Sequence, residues 1–458
     1  MKPVSDFVMV ANRLPVSRDD ERDRWVTSPG GLVSALVPIL TEREGAWIGW
    51  TGAPDDAPSP FEHDGMRLIP VPLSAEDLDS YYLGFCNNTL WPLYHNAIRT
   101  PAYHRHWWRP YEAVNERFAE AVAETLSPRG IAWVHDYQLQ LVPGRVRALR
   151  PDVTVGFFLH IPFPPVELFA YLPWREPVLR GLLGSDVIAF QTEQSVSNFR
   201  DAALRYAGAR DAGEELEYDG RRVRLQWAPI SVDTEAFAQA ARSPEVIESA
   251  RRLRERILPA RKLVLGVDRL DYTKGIDHRL RAVQTFHERH PEAARDTVLL
   301  QLAVPSREEL IQYAEQRERV ERLVGQINGE HGDPGYTPVV YMYRHLGFEE
   351  LVAAYLAADV MLVTPLADGM NLVAKEYIAS RTSDDGLLVL SEFAGAAAEL
   401  REAVLVNPLD LDGLAETLLY AVTITPEDAA ERMRPLRATV REYDVYLWSR
   451  NCLEALES

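Results

Sequence analysis

Short runs of aliphatic and β-branched residues alternate with longer stretches of helical periodicity along almost the whole chain. In the first half the strand candidates are Phe7–Ala11, Ile131–His135, Thr154–His160, Val187–Phe190 and Val223–Trp227. In the second half they are Lys262–Asp268, Val298–Ala303, Val339–Tyr343, Val360–Thr364 and Leu387–Leu390. Between them Val114–Thr125, Glu309–Asn328 and Phe348–Ala358 read as helices. Such alternation predicts βαβ units and parallel sheets. The two strand sets are separated by Ala228-Pro-Ile-Ser-Val-Asp-Thr-Glu235, a hinge candidate. The fold class expected is therefore α/β, with two doubly wound domains facing each other across a deep cleft. The boundaries are placed at residues 1–235 and 236–440, with a helical tail at 441–458 that packs back on the first domain through Tyr443, Tyr446, Leu447 and Trp448. The charged stretch Arg18–Arg24 reads as a solvated loop.

Composition changes this picture little. At 458 residues the chain exceeds one core, and two or three domains are expected. No run of eighteen apolar residues occurs and no secretion signal precedes Phe7, so neither a membrane span nor export is expected. Two cysteines, Cys86 and Cys452, stand far apart in no metal spacing, which fits a reduced cytoplasm. Net charge is −19, which argues against nucleic acid as a partner. It leaves room for an anionic small molecule, because a few clustered cations set the local potential.

Such cations occur in two segments about a hundred residues apart, Gly266-Val-Asp-Arg-Leu-Asp-Tyr-Thr-Lys-Gly275 and Pro365-Leu-Ala-Asp-Gly-Met-Asn-Leu-Val-Ala-Lys-Glu376. The first follows the apolar run Leu263–Leu265 and presents Arg269 and Lys274 on a loop closed by Gly275. The second follows Val360–Val363 and opens a helix at Asn371. A helix start offers unpaired N–H groups and a positive dipole end to an anion. Ordinary strand–loop–helix connections account for an Asp-Gly turn or a loop lysine, but poorly for Arg269, Lys274, Asp368, Asn371 and Glu376 all lying at such junctions. In open parallel sheets ligands bind beyond the carboxyl ends of the strands. The two segments together suit a diphosphate.

The chain resembles the trehalose-6-phosphate synthases, retaining glycosyltransferases of the two-domain GT-B fold. The resemblance rests on Asn12-Arg13, Gly30-Gly31-Leu32, Gly49-Trp50, Tyr81-Tyr82 to Asn87, Leu90-Trp91-Pro92, His135-Asp136-Tyr137, Phe157 to Pro164, Arg307, and the two segments above, in order from about residue 7 to 450. It implies glucose transfer from a nucleotide diphosphate glucose (UDP-, GDP- or ADP-glucose) to glucose 6-phosphate with retention of configuration. The second domain would bind the donor and the first the acceptor, with closure over both. Arg269 and Lys274 would neutralise the diphosphate, and backbone from Gly369, Met370, Asn371, Leu372 and Val373 would add donors. Glu376 would accept from the ribose hydroxyls and Asp368 from the transferred glucose. Gly30 and Gly31 would let a loop approach the phosphates, and the base would lie near His345 and Leu346. Arg13 and Arg307, with Tyr82 and Trp91, would clamp the acceptor phosphate, since a guanidinium donates two bonds at once. Trp50 would line the sugar site, and Asp136 and His160 would contact hydroxyls near the reacting carbon. Without the resemblance, Trp50, Tyr82 and Trp91 read more simply as core aromatics, and His160 reads equally as a structural histidine.

The resemblance also implies catalysis without a covalent enzyme intermediate: the departing diphosphate helps to deprotonate the acceptor hydroxyl on the same face. Arg269, Lys274, Asp136 and His160 are the catalytic candidates. No cofactor is expected and no metal, because the cations take its place and no Asp-x-Asp or histidine cluster has ligand spacing. No membrane partner and no appended phosphatase domain are expected; homo-oligomerisation is left open. Two positions depart from the commoner pattern: Gln138, where His is frequent, and Ala367, where Arg often precedes Asp-Gly-Met-Asn. Two rival functions remain at this point. One is a pseudo-glycosyltransferase joining a nucleotide-activated cyclitol to an amino-cyclitol phosphate, and the other a non-catalytic sugar-phosphate sensor.

Overall fold

The computed structural model describes residues 5–19, 24–27, 31–257 and 261–458. It divides into two compact units, Met1–Ile230 with Tyr446–Ser458, and Ser231–Val445. The first is built on a ten-stranded sheet ordered Arg210–Ala212, Glu215–Tyr218, Arg221–Trp227, Val187–Phe190, Thr154–Leu159, Leu126–His135, Ser5–Arg13, Ala46–Trp50, Met66–Pro70, Phe61–His63. Its central strands are parallel, and antiparallel hairpins finish both edges. The second holds a six-stranded parallel sheet ordered Val339–Tyr343, Thr297–Val304, Lys262–Arg269, Val360–Val363, Leu387–Ser391, Val404–Val406. Strands apolar on both faces, such as Val360–Val363, are what a sheet covered by helices on each side demands. The helix Ile276–Arg289 lays Ile276, Leu280, Val283 and Phe286 into the core beside Val264, Leu299 and Val360.

Strand order fixes where a ligand can bind. In the second sheet the chain leaves Lys262–Arg269 towards one edge and later leaves Val360–Val363 towards the other. These two strands are neighbours, paired through Val264 with Val360 and Leu265 with Met361. The crossovers therefore part between them and open a crevice at their carboxyl ends. The first sheet repeats the device between Ser5–Arg13 and Leu126–His135, whose onward connections run to opposite edges.

Several elements differ from the sequence expectation. The helix expected at Val114–Thr125 starts at Arg105 and runs through Pro110. Proline costs an interior helix a hydrogen bond, and here Trp108 and Tyr111, packed on Phe85 and Trp174, hold the turn together. Leu78–Leu90 is a widened π-helix in which Asn87 and Asn88 side chains donate to carbonyls five residues back. Arg18 and Arg24 lie not in a loop but in short antiparallel strands, Val16–Asp19 and Arg24–Thr27; the residues between them lie outside the described set. The expected tail is the helix Val445–Glu457, set off by a break after the preceding helix Pro426–Glu442. Trp448 of the tail helix is buried with the first sheet, donating Nε1–H to Ala228 O at 3.1 Å and packing on Trp133 and Phe158. Among the described residues no helix is long and apolar enough to cross a membrane.

Candidate active site

In the second unit the loop after Lys262–Arg269 is shaped by Asp271. Its Oδ1 accepts from both Thr273 N and Thr273 Oγ1 at 2.9 Å, winding a 3₁₀ turn over Tyr272–Lys274. Gly275 then takes φ 65° to start the helix Ile276–Arg289, and a Cβ there would stand 2.5 Å from Thr364 O. Glycine is required twice over, for its dihedral and for the close approach. The loop after Val360–Val363 is stitched to the first by Leu366 N donating to Thr273 O at 2.7 Å. Beyond it, Asp368 N donates to Phe393 O and Gly395 N to Asp368 O. A Cβ on Gly395 would collide with Gly369 O. Asn371, at φ 74°, turns the chain into the helix Leu372–Ser380, whose first N–H groups lack intrahelical partners.

Lys274 and Asp368 meet across these loops, Nζ to Oδ2 at 2.5 Å, and Asn371 Nδ2 donates to the same oxygen at 3.0 Å. The resemblance implied that the two charges serve different parts of a ligand; in the structure they are joined to each other. Arg269 is exposed at the end of its strand, and Gly369 and Met370 are buried. Glu376 accepts from Tyr355 OH at 2.7 Å; burial raises its carboxyl above the ordinary range and that bond opposes the rise. His345 is exposed and Leu346 half-buried on the loop after Val339–Tyr343. Arg307, at φ 47°, lies beside the same cationic loop, with Nη1 donating to Tyr313 OH at 2.5 Å and to Asp271 Oδ2 at 3.3 Å. Burial would raise Asp271, but Arg307, Arg269, the Thr273 N–H and Lys274 outweigh it and hold the carboxyl low.

Beneath the crevice lies a set of buried charges that sequence reading missed. Arg279, fully buried, donates to Asp268 at 2.5 Å, Gln301 Oε1 at 2.8 Å and Thr364 Oγ1 at 3.0 Å, joining its helix to three neighbouring strands. Lys375, also buried, pairs with Glu399 at 2.7 Å behind the start of Leu372–Ser380. A signal for Arg279 existed: it falls on the apolar stripe of Ile276, Leu280 and Val283, where a solvated arginine does not belong.

In the first unit, Arg13 ends its strand with its guanidinium 4.7 Å above the Trp50 ring. Trp50 is fully buried, donates Nε1–H to Ala53 O at 2.9 Å, and meets Tyr82 edge-on at 6.0 Å. Trp91 lies 5.6 Å from Tyr137, which bonds Asn87 Oδ1, while Asn87 donates to Tyr82 O. Arg13, Trp50 and Tyr82 are thus brought together, with Trp91 linked to them through Tyr137 and Asn87. Gly31 opens the helix Gly31–Glu42; Gly30 lies outside the described residues.

Asp136 follows the strand Leu126–His135 with φ 74° and ψ 168°; its N–H donates to Phe158 O and its Oδ1 accepts from His160 N at 3.3 Å. The His160 ring has partners on both nitrogens: Nε2 lies 3.0 Å from His135 Nδ1, and Gln191 Nε2 lies 3.4 Å from its Nδ1. Gln191 is itself held, accepting from Ile230 N at 2.9 Å. An amide N–H can only donate, so His160 Nδ1 accepts and Nε2 carries the proton towards His135. Burial pushes His160 down to about 3, and burial, then His160, pushes His135 well below its usual value. Among the described residues no group of three or more His, Cys, Asp or Glu side chains is arranged to hold a metal ion.

Two Rossmann-like units, each with its charged loops at the switch point of a parallel sheet, define an enzyme of the GT-B class of glycosyltransferases. The model for glycosyltransferase family 20 matches residues 5–458, and the chain belongs to that family. It is 51% identical to a trehalose-6-phosphate synthase of Mycolicibacterium gilvum, covering 99% of this chain and 94% of that one. A Burkholderia xenovorans alpha,alpha-trehalose-phosphate synthase (UDP-forming) in complex with glucose-6-phosphate superposes with a TM-score of 0.91 at 33% identity, over 99% of this chain and 100% of that one. A trehalose-6-phosphate enzyme of E. coli bound with UDP-2-fluoro glucose does so with a TM-score of 0.91 at 32% identity, over 99% of each chain.

Proposed function

We propose that this glycosyltransferase makes α,α-trehalose 6-phosphate, transferring glucose from a nucleotide diphosphate glucose to the anomeric hydroxyl of glucose 6-phosphate with retention. The observation that carries the reading is the pair of loops at the second switch point. Arg269 and Lys274 stand on one and a helix N-terminus opens on the other. A diphosphate placed there takes the positive groups that Asp368 and Asp271 now balance. On donor binding Lys274 turns from Asp368 to the phosphates, and Asp368 is released to accept from glucose hydroxyls. Gly30, Gly31 and the backbone from Gly369 to Val373 complete the diphosphate cradle, Glu376 takes the ribose hydroxyls, and the His345–Leu346 loop takes the base. Arg13, Tyr82, Trp91 and Arg307 hold the acceptor phosphate, Trp50 backs the sugar site by supporting Arg13 and Tyr82, and Asp136 with His160 meets the two sugars.

In the reaction the bond from C1 to the diphosphate oxygen breaks as the acceptor oxygen bonds to C1 on the same face. The acceptor proton passes to the leaving phosphate oxygen. Arg269 and Lys274 stabilise the charge that develops there, the largest electrostatic task at the site. Asp136 and His160 fix the donor sugar and the acceptor hydroxyl in reach of each other. With Nε2–H committed to His135 and Nδ1 to Gln191, His160 serves as a positioning group and passes no proton to or from the substrates. The test is to supply glucose 6-phosphate with UDP-, ADP- and GDP-glucose in turn. The expected result is a nucleoside diphosphate and a disaccharide phosphate with two α-anomeric signals in its NMR spectrum. Release of glucose without a disaccharide, or a β linkage, would contradict the proposal.

A further inference from the structure

Arg307 occupies a backbone conformation that a non-glycine residue keeps only when its surroundings hold it, at φ 47°. Its side chain is 8% exposed and its Nη1 is one corner of a closed triangle. Nη1 donates to Tyr313 OH at 2.5 Å and to Asp271 Oδ2 at 3.3 Å, and Tyr313 OH donates to that same Oδ2 at 2.9 Å. The other carboxylate oxygen of Asp271 is committed to Thr273 N and Oγ1, both at 2.9 Å. The Tyr313 hydroxyl therefore accepts from the cation and donates to the anion at once, which phenylalanine of the same shape cannot do. Tyr313 comes from the helix Ile311–His331 and Asp271 from the loop that carries Arg269 and Lys274.

We propose that Tyr313 and Asp271 are positioning residues for Arg307: they fix one end of its guanidinium and tie the acceptor-phosphate grip to the donor-diphosphate loop. This rests on the reading of Arg307 as an acceptor-phosphate ligand. A tyrosine serving only as packing would tolerate loss of its hydroxyl. A tyrosine that aims a cation would not, and the loss would fall on the phosphorylated substrate alone. The geometry also makes the effect one of orientation rather than charge, since Asp271 still balances Arg307 when the hydroxyl is gone.

The experiment is steady-state kinetics of Tyr313→Phe and Asp271→Asn beside Arg307→Ala, with glucose as a phosphate-free competitor of glucose 6-phosphate. Tyr313→Phe is expected to raise the KM for glucose 6-phosphate about 10-fold. The KM for the nucleotide glucose should stay within about twofold, as should the inhibition constant of glucose, because neither ligand uses the aimed phosphate contact. Asp271→Asn should raise the KM for glucose 6-phosphate but also that for the nucleotide glucose, because Asp271 shapes and balances the loop that carries Arg269 and Lys274. A glucose 6-phosphate KM unchanged in Tyr313→Phe but raised in Arg307→Ala would overturn the positioning role while leaving the acceptor site standing. An equal rise for glucose and for glucose 6-phosphate would reduce Tyr313 to packing. No effect in Arg307→Ala would remove Arg307 from the phosphate, and the proposal with it.

Discussion

Asp136 adopts φ 74° and ψ 168°, a region that glycine alone enters freely. The conformation is held by its N–H on Phe158 O and by His160 N on its carboxylate. Strain of this kind costs about 1–3 kcal/mol. Asp136→Gly should therefore keep or raise the melting temperature while turnover drops about 100-fold, the loss usual for one polar contact at a reacting centre. A melting temperature that fell with activity would mean that the residue serves the fold. The neighbouring histidines make a prediction in pH. Burial holds His160 at about 3 and His135 also low, whereas both titrate near ~6.5 when unfolded. Below that value the unfolded chain binds more protons, so stability is whole above pH ~6.5 and is lost as pH falls from there towards ~3. Thermal melts between about pH 7.5 and 5 should show a falling midpoint. His160→Gln should flatten that slope; an identical slope would place the pair in contact with water.

At the scale of elements, the second sheet depends on charges it has buried. The Asp268–Arg279 pair is 1% and 0% exposed and, with Gln301 and Thr364, ties together three neighbouring strands. Removing one partner of such a pair leaves an unmatched charge and costs about 3–5 kcal/mol. Arg279→Leu is expected to lose that much in urea unfolding of the whole chain, and a loss below ~1 kcal/mol would show that water reaches the pair. The strands around it were legible in the sequence: Lys262–Arg269 and Val360–Val363 were each placed to within a residue, because an all-apolar run has few other uses. The buried network was not. Arg279's place on an apolar stripe hints at burial but names no partner, Lys375 looks like the solvated side chain that most helix lysines are, and only the fold brings Asp268 and Glu399 to them. The start of the helix Arg105–Thr125, across Pro110, was not legible for a similar reason, since the aromatic packing that keeps it intact is remote in sequence.

For the whole molecule, a net charge of −19 coexists with a local cluster of Arg269, Lys274 and Arg307 around one buried carboxylate. Much of the candidate site could be read from the chain because ligand loops follow strands, and the two motifs flank the switch point of the second sheet. Pairings across the fold could not be read. Lys274 with Asp368, Tyr313 with Arg307 and Gln191 with His160 join residues that no local pattern connects. Calorimetric titration of the wild-type chain, Arg269→Ala and Lys274→Ala with the nucleoside diphosphate released in the transfer assay tests the central claim most directly. Each variant is expected to bind about 100-fold more weakly than wild type, in keeping with loss of a charge-assisted phosphate contact. Equal affinity in all three proteins would contradict it.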